Sequence, residues 1–136
     1  MKIGCGVIIA CKVTGRILLG KRVDTYSWAN FGGTLEEFET TLHCAEREIL
    51  EETGLISGVN YKIITNKPVH ISEYPGFAYH CFLAETDTEY SISLNDEHVE
   101  YKWVDMDSLP SDLHFGVADI FNSLKVKKSI AKIIKG

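Results

Sequence analysis

The stretch that decides the fold is residues 32–55, "GGTLEEFETTLHCAEREILEETGL". Its second half predicts a helix that ends near Thr53, since Thr40 or Thr41 can cap the start and Gly54 suits the position just past the end. The apolar stripe of this predicted helix consists of Leu42, Ala45, Ile49 and Leu50.

Four glutamates crowd the same helix, with Arg47 as the only cation among them: Glu46, Glu48, Glu51 and Glu52. Spacings of i,i+3 and i,i+4 bring like charges together, at a cost of a few tenths of a kcal/mol per pair. A solvent-exposed acidic helix face is the ordinary explanation. The alternative is a divalent cation that prefers oxygen ligands, Mg²⁺ or Mn²⁺, and that also binds substrate phosphates.

The bulk composition predicts one globular domain over residues 1–136. The chain is 45% hydrophobic and 24% charged, and its net charge of −5 disfavours a whole-surface nucleic-acid or anionic-membrane binder. No apolar run approaches the roughly 18 residues of a membrane span, and residues 1–16 make a poor secretory signal. We therefore expect a cytoplasmic protein with no membrane or nucleic-acid partner. Its oligomeric state, monomer or homodimer, is left open.

The four cysteines lack the C-x-x-C spacing of zinc sites. Cys5, Cys11 and Cys81 lie in apolar, strand-like runs, which predicts small buried side chains in a reducing compartment. Cys44 could instead be a reactive thiol, but no evident base accompanies it.

Strands and helices are predicted on both sides of residues 32–55. Predicted strands cover 3–13, 16–22, 59–65, 77–84 and 98–105; a helix covers 115–124; loops or turns cover 14–15, 23–33 and 72–76. Such mixed order favours an α/β or α+β sandwich in which a mixed sheet carries helices on both faces.

The tail "LKVKKSIAKIIKG", residues 124–136, interleaves five lysines with apolar residues at helical spacing. Its apolar residues are Val126, Ile130, Ile133 and Ile134. This pattern predicts a final helix that packs one face on the body. A lysine-rich surface for a membrane or nucleic acid is the alternative.

Residues 33–55 resemble the signature of the Nudix hydrolase family, G-x5-E-x7-R-E-U-x-E-E-x-G-U, where U is a bulky aliphatic residue. The defined positions are filled by Gly33, Glu39, Arg47, Glu48, Ile49, Glu51, Glu52, Gly54 and Leu55. The resemblance implies an α/β/α sandwich with a loop-helix-loop catalytic box. It also implies hydrolysis, dependent on Mg²⁺ or Mn²⁺, of a nucleoside diphosphate linked to another group.

The resemblance also implies roles for individual residues. The implied metal ligands are the carboxylates of Glu48, Glu51 and Glu52 and the carbonyl of Gly32. Glu39 and Arg47 resemble the pair that braces the catalytic box. Family members draw one further acid from a loop after the box, and Glu97 is preferred over Glu100 because it precedes a predicted strand. A solvated loop acid is the alternative for Glu97. Either Glu48 or the loop acid would accept the proton of the attacking water.

Four residues are candidates for binding the substrate. Arg22 or Lys21 could pair with a phosphate, or could be exposed charges at a strand end. Trp28 and Phe31 could stack on a base, or could pack in the core.

The chain departs from common family usage at two positions. Phe31 replaces the frequent proline before the two glycines, and Phe38 replaces the frequent glycine before Glu39. If that glycine has positive φ, either Phe38 is strained or the loop runs differently. The length and the run before the glycines resemble MutT-like enzymes, so a (d)NTP cleaved to a nucleoside monophosphate and pyrophosphate is the expected substrate. The alternatives are ADP-ribose, nucleotide sugars, dinucleoside polyphosphates, or a catalytically silent nucleotide-binding module.

Overall fold

The computed structural model describes residues 1–135, and Gly136, the last residue of the predicted domain, lies outside them. The strands are β1 (Lys2–Cys11), β2 (Arg16–Arg22), β3 (Trp28–Ala29), β4 (Phe31–Thr34), β5 (Lys62–Ile63), β6 (His70–Tyr74), β7 (Phe77–Thr86) and β8 (His98–Asp105). The helices are α1 (Thr41–Thr53), α2 (Phe115–Phe121) and α3 (Leu124–Lys135), with a short 3₁₀ helix at Met106–Ser108.

Strand β1 is the centre of a mixed sheet. It runs parallel to β7 along its whole length, and on its other edge it pairs antiparallel with β4 and, at Ala10, with β2. Strand β2 also carries β3 and β8, whereas β7 also carries β5 and β6. Because β4 and β2 both pair with the same edge of β1, the sheet divides into two branches on that side of β1.

Helices cover both faces of this sheet. Successive side chains of β1 point to opposite faces, so β1 contributes to a core on each face. Val7 and Ile9 belong to the core beneath α1, whereas Ile8 and Ala10 belong to the core beneath α2 and α3. The predicted α/β sandwich with helices on both faces is confirmed.

Several predicted elements differ from the structure. The predicted strand 3–13 ends at Cys11, and the predicted helix 115–124 ends at Phe121, before α3 begins at Leu124. The predicted loop at 23–33 contains β3 and the start of β4, which are too short to show a sequence period. The predicted turn at 72–76 begins too early, since β6 continues to Tyr74 and the reversal falls at Pro75 and Gly76. Of the predicted strand 59–65, only Lys62–Ile63 forms a strand.

The C-terminal segment forms the predicted packed helix, α3. Val126, Ile130 and Ile133 are buried in the core beneath α2 and α3, whereas Ile134 is partly exposed. None of the helices in the described part of the chain combines the length and apolar character that crossing a membrane requires.

The four cysteines are free and buried, as predicted for small core side chains. Burial is the main cause that raises the pKa of the Cys44 thiol above its ordinary value. A thiol in that state is a poor nucleophile, so the reactive-thiol alternative for Cys44 loses support.

Candidate active site

Helix α1 carries the acidic cluster and begins and ends as predicted. The Thr40 hydroxyl accepts a hydrogen bond from the backbone N–H of His43, and Gly54 ends the helix at φ 79° with its N–H donating to the carbonyl of Leu50. The predicted stripe is wrong at Leu50, whose side chain is half exposed. Glu48 and Glu52 are buried instead, because that face of α1 packs on β1 and β4.

Three carboxylates converge beside Gly32 and Gly33, the two glycines at the start of the box. Oxygens of Glu48, Glu52 and Glu97 lie within 4.8 Å of one another. Glu97 comes from the loop before β8, where its carbonyl accepts from the N–H of Val23 and its N–H donates to the Asn95 side chain. Of the two candidate loop acids, the structure thus brings Glu97 to the cluster; Glu100 lies within β8, opposite Lys21.

The cluster is short of positive charge. Glu52 is 1% exposed, and burial, followed by the charges of Glu48 and Glu97, raises its pKa to about 9. Burial also raises the pKa of Glu48. The backbone N–H of Gly32 donates to Glu52 at 2.9 Å. An all-oxygen set of crowded carboxylates, two of them buried, fits a hard divalent cation such as Mg²⁺ or Mn²⁺.

Arg47 ties the loop of the box to the helix. Its guanidinium donates to both oxygens of Glu39, at 2.6 and 3.0 Å, to Glu48 at 3.0 Å and to the carbonyl of Thr34 at 3.1 Å. The hydrogen bonds from Arg47 are the main cause that lowers the pKa of Glu39 to about 2. Arg47 also contacts Glu51, which is half exposed and is not part of the three-carboxylate cluster. Metal ligation by Glu51 stays a prediction from the resemblance.

Gly33 lies directly against the Glu48 side chain. A Cβ at this position would overlap the Glu48 carboxyl group, which would have to move away from the cluster. We expect Gly33→Ala to lower kcat about 100-fold, since a shift of about 1 Å in a catalytic group can have that effect. The free energy of unfolding should change by less than about 2 kcal/mol, because the displaced atoms are the end of a side chain. Steady-state kinetics and urea unfolding measure the two quantities, and wild-type kinetics would contradict this placement of Glu48.

Phe38 has the backbone strain that its departure from the family pattern predicts. Its φ is 65°, in the left-handed region, and its side chain is 99% exposed. We expect Phe38→Gly to stabilise the protein by up to about 1 kcal/mol, because glycine adopts this region without a Cβ clash. Phe38→Ala is the matched control, since it removes the ring but keeps the clash. Equal unfolding free energies for the two variants would refute the strain.

A cavity of about 500 Å³ opens beside the cluster. Glu52, Glu97 and Gly32 line it, and so does Arg22, whose guanidinium forms two hydrogen bonds with Asp24. Arg22 is the candidate for substrate binding that the structure brings to the cavity wall.

The other candidate substrate residues lie elsewhere. Trp28 and Phe31 are 3% and 1% exposed and belong to the core, so the core-packing alternative describes them. The Lys21 ammonium lies 4.3 Å from the centre of the Tyr26 ring and 3.9 Å from the Asp112 carboxylate. The structure does not bring these three to the cavity wall.

Sequence reasoning missed most of the remaining cavity wall. Its aromatic residues are Tyr74, Phe77, Tyr79, His98, His114 and Phe115. The usable signal was the alternation in β7, where residues two apart face the same side of the sheet. The β6–β7 pairing and the docking of α2, which assemble the wall, leave no comparable local pattern.

The fold and the site together define a class of protein: an α/β sandwich whose helix α1 presents buried carboxylates beside a cavity. Proteins that bind phosphates through a divalent cation have such an arrangement. The chain belongs to the Nudix hydrolase family, because the family profile described as NUDIX domain matches residues 2–124.

Relatives with described activities support the same family. The chain is 34% identical over 99 residues to an oxidized purine nucleoside triphosphate hydrolase of Danio rerio, in a match that covers 71% of this chain and 62% of that protein. The matched region is thus less than two thirds of the relative's length. The chain is also 28% identical over 127 residues to an RNA pyrophosphohydrolase of Erythrobacter litoralis, in a match that covers 78% of this chain and 77% of that protein.

Solved structures share the fold. A Nudix hydrolase from M. smegmatis, RenU, superposes with a TM-score of 0.79 at 22% identity, covering 96% of this chain and 86% of that one. An Ap4A hydrolase of C. elegans superposes with a TM-score of 0.77 at 19% identity, covering 98% and 99%. At these identities the likeness establishes the fold.

Proposed function

We propose that this protein hydrolyses a pyrophosphate bond of a nucleoside triphosphate, ribo- or deoxyribo-, with the help of Mg²⁺ or Mn²⁺, and releases a nucleoside monophosphate and pyrophosphate. The observation that carries the proposal is the convergence of Glu48, Glu52 and Glu97 within 4.8 Å, beside a cavity of about 500 Å³. A cavity of that size suits a small-molecule ligand.

The charged residues of the box, together with Gly32, Glu97 and Arg22, each have a task in this proposal. Glu48, Glu52 and Glu97 would hold the cation, joined by the Gly32 carbonyl and by Glu51. When bound, the cation supplies positive charge to the phosphate oxygens. Arg47 orients Glu48, and it restrains Glu39 through two hydrogen bonds so that the loop stays against the helix. Arg22 would contact a phosphate at the cavity mouth.

The attacking water needs a base, and the cluster offers two. Glu48 is buried and restrained by Arg47, whereas Glu97 is exposed and held by Asn95. Glu48→Gln and Glu97→Gln distinguish the roles: the variant that removes the base should lose the acid limb of the pH–rate profile, and the other should retain it at lower kcat.

The choice of substrate class rests on the relatives. One is named an oxidized purine nucleoside triphosphate hydrolase and another an RNA pyrophosphohydrolase, and the first name supports a nucleoside triphosphate as the substrate. The net charge of −5 favours the free nucleotide over an RNA chain, whose backbone is recognised mainly by positive charge.

A substrate panel tests the proposal. Ordinary and oxidised nucleoside triphosphates, ADP-ribose, a dinucleoside polyphosphate, a nucleotide sugar and a 5′-triphosphorylated RNA are each incubated with Mg²⁺ or Mn²⁺ in ¹⁸O water. Phosphorus NMR should show a labelled mononucleotide or pyrophosphate from a nucleoside triphosphate and nothing in the presence of chelator. Turnover of another class alone would replace the substrate, and nucleotide binding without any turnover would favour the silent module.

A further inference from the structure

Five aromatic side chains form a continuous arc on the cavity wall, which we call the aromatic arc. In order of contact it runs His114, Phe115, Tyr74, Phe77 and Tyr79, with neighbouring ring centres 4.6, 5.9, 6.2 and 6.4 Å apart. All five line the cavity that contains Glu52 and Glu97. Aromatic rings stack on the flat face of any nucleobase, whatever polar groups the edge of that base carries.

Tyr79 reaches from β7 across two neighbouring strands. A Cβ at Gly6 of β1 or at Gly32 of β4 would overlap the Tyr79 hydroxyl, so glycine at these positions creates the space for the side chain. The hydroxyl accepts a hydrogen bond from Nδ2 of Asn30 at 3.0 Å. Burial raises the pKa of Tyr79 well above its ordinary value, so the hydroxyl stays neutral.

Asn30 is thereby held in one orientation. It is 8% exposed, and its Nδ2 also donates to the backbone carbonyl of Phe31 at 3.3 Å. A carbonyl can only accept, so the amide nitrogen must face Phe31 and Oδ1 must point the other way. Among the described residues no donor forms a hydrogen bond with Oδ1, although Asn30 lines the cavity.

Ser72 adds a second polar group beside the same ring. It lies directly opposite Tyr79 in the β6–β7 pairing and lines the cavity. Its hydroxyl is buried and has no hydrogen-bond partner in the described part of the chain. An unpaired buried hydroxyl lowers stability, and a ligand that pairs it gains affinity.

We propose that this part of the cavity is a nucleobase subsite, in which the aromatic arc holds the base and Asn30 Oδ1 accepts a hydrogen bond from an N–H on the base edge. The inference rests on the proposed function and names the part of the substrate that this wall reads. Asn30 and Ser72 are its specificity-determining residues. A base that lacks the matching N–H leaves Asn30 desolvated and unpaired, which is how polar sites reject analogues.

Calorimetric binding of nucleoside monophosphates tests the subsite without requiring turnover. GMP is compared with IMP, which lacks the 2-amino group, and with 1-methyl-GMP, which lacks the lactam N–H; AMP is compared with purine riboside monophosphate. The wild type should bind at least one donor-bearing nucleotide about tenfold more tightly than its analogue. Asn30→Leu should reduce that ratio to within about twofold.

Three further variants keep the test decisive if Asn30→Leu fails to fold. Tyr79→Phe keeps the ring but removes one of the two acceptors that hold the Asn30 amide, so the ratio should fall while stacking persists. Tyr101→Phe, which removes a ring hydroxyl outside the cavity, is the matched control and should keep the wild-type ratio. Ser72→Ala should leave the free protein equally or more stable and weaken nucleotide binding.

The outcomes separate this inference from the proposed function. Two results overturn the subsite even if nucleotides are hydrolysed. One is equal affinities within every pair of nucleotides. The other is an affinity ratio that survives in Asn30→Leu or, if that variant does not fold, in Tyr79→Phe. A ratio that depends on Asn30, with no hydrolysis of any nucleotide, supports the subsite and overturns the proposed activity.

Discussion

Replacing Glu52 by glutamine should lower kcat at least about 10²–10³-fold, the range observed when one preorganised electrostatic group is removed from an active site. Glutamine keeps the length of the side chain and the oxygen that accepts from Gly32, but it cannot carry the negative charge that a divalent cation requires. Steady-state kinetics at several Mg²⁺ concentrations measure the loss. Saturating Mg²⁺ should not restore activity.

The same substitution should not destabilise the metal-free protein. Glu52 is 1% exposed with its pKa raised to about 9, so the folded state binds its proton more tightly than the unfolded chain does. The wild type should therefore lose stability as pH rises from about 4.5, near the unfolded pKa, towards 9, and Glu52→Gln should flatten that decline. Glu46→Gln, on the same helix but outside the cluster, is the matched control for both measurements. Wild-type activity in Glu52→Gln would remove the residue from the site.

Replacing Arg47 should have the second largest effect, on stability and activity together. Arg47→Ala leaves the carboxylates of Glu39 and Glu48 and the carbonyl of Thr34 without their shared donor. Breaking a partly buried charge network of this kind costs about 3–5 kcal/mol when the remaining charges stay buried, and less where water reaches them. Urea unfolding gives the loss of stability, and kcat should fall because Glu48 is no longer held.

Arg47→Lys should rescue little, because an ammonium cannot reproduce a forked contact with Glu39 and also reach Thr34. The pH dependence gives a second readout. The pKa of Glu39 is lowered to about 2, so its stabilisation is present above the unfolded pKa near 4.5 and is lost as pH falls towards 2. Arg47→Ala and Arg47→Lys should both reduce the part of the free energy of unfolding that is lost as the pH falls and Glu39 becomes protonated.

Arg16→Ala provides the comparison for Arg47. Arg16 also forms two hydrogen bonds with one carboxylate, Glu89, but its side chain is 43% exposed and remote from the cluster. Arg16→Ala should lower the free energy of unfolding far less than Arg47→Ala does, and it should leave kcat unchanged. Equal costs for Arg16→Ala and Arg47→Ala would show that Arg47 is an ordinary surface ion pair.

The helix of the box could be predicted closely because its determinants are local. Thr40, Gly54 and the apolar period define α1 to within one residue. Glu48 and Glu52 could be paired from their i,i+4 spacing alone. Their burial could not, since it depends on β4 packing against that side of the helix, and the same packing leaves Leu50 exposed.

Long-range parts of the site were less accessible to sequence reasoning. Glu97 could be chosen over Glu100 because a loop residue can turn inward where a strand residue is paired, and the structure brings Glu97 to the cluster. No local pattern indicates that Asn30 meets Tyr79, because the contact depends on β1 glycines, on the β1–β7 register and on a strand of two residues. Short strands and cross-strand contacts carry too little sequence to show a period.

Calorimetric titration of the protein with Mn²⁺ at pH 7.5, in two buffers of different ionisation enthalpy, tests the central claim most directly. The account predicts one ion bound at the carboxylate cluster with release of roughly one proton, because Glu52, with its pKa about 9, is protonated before the ion arrives. Glu52→Gln should bind more weakly and release no proton, whereas Glu46→Gln should match the wild type. Binding in Glu52→Gln with wild-type affinity and proton release, or no binding to the wild type, would contradict the assignment of the cluster as the metal site.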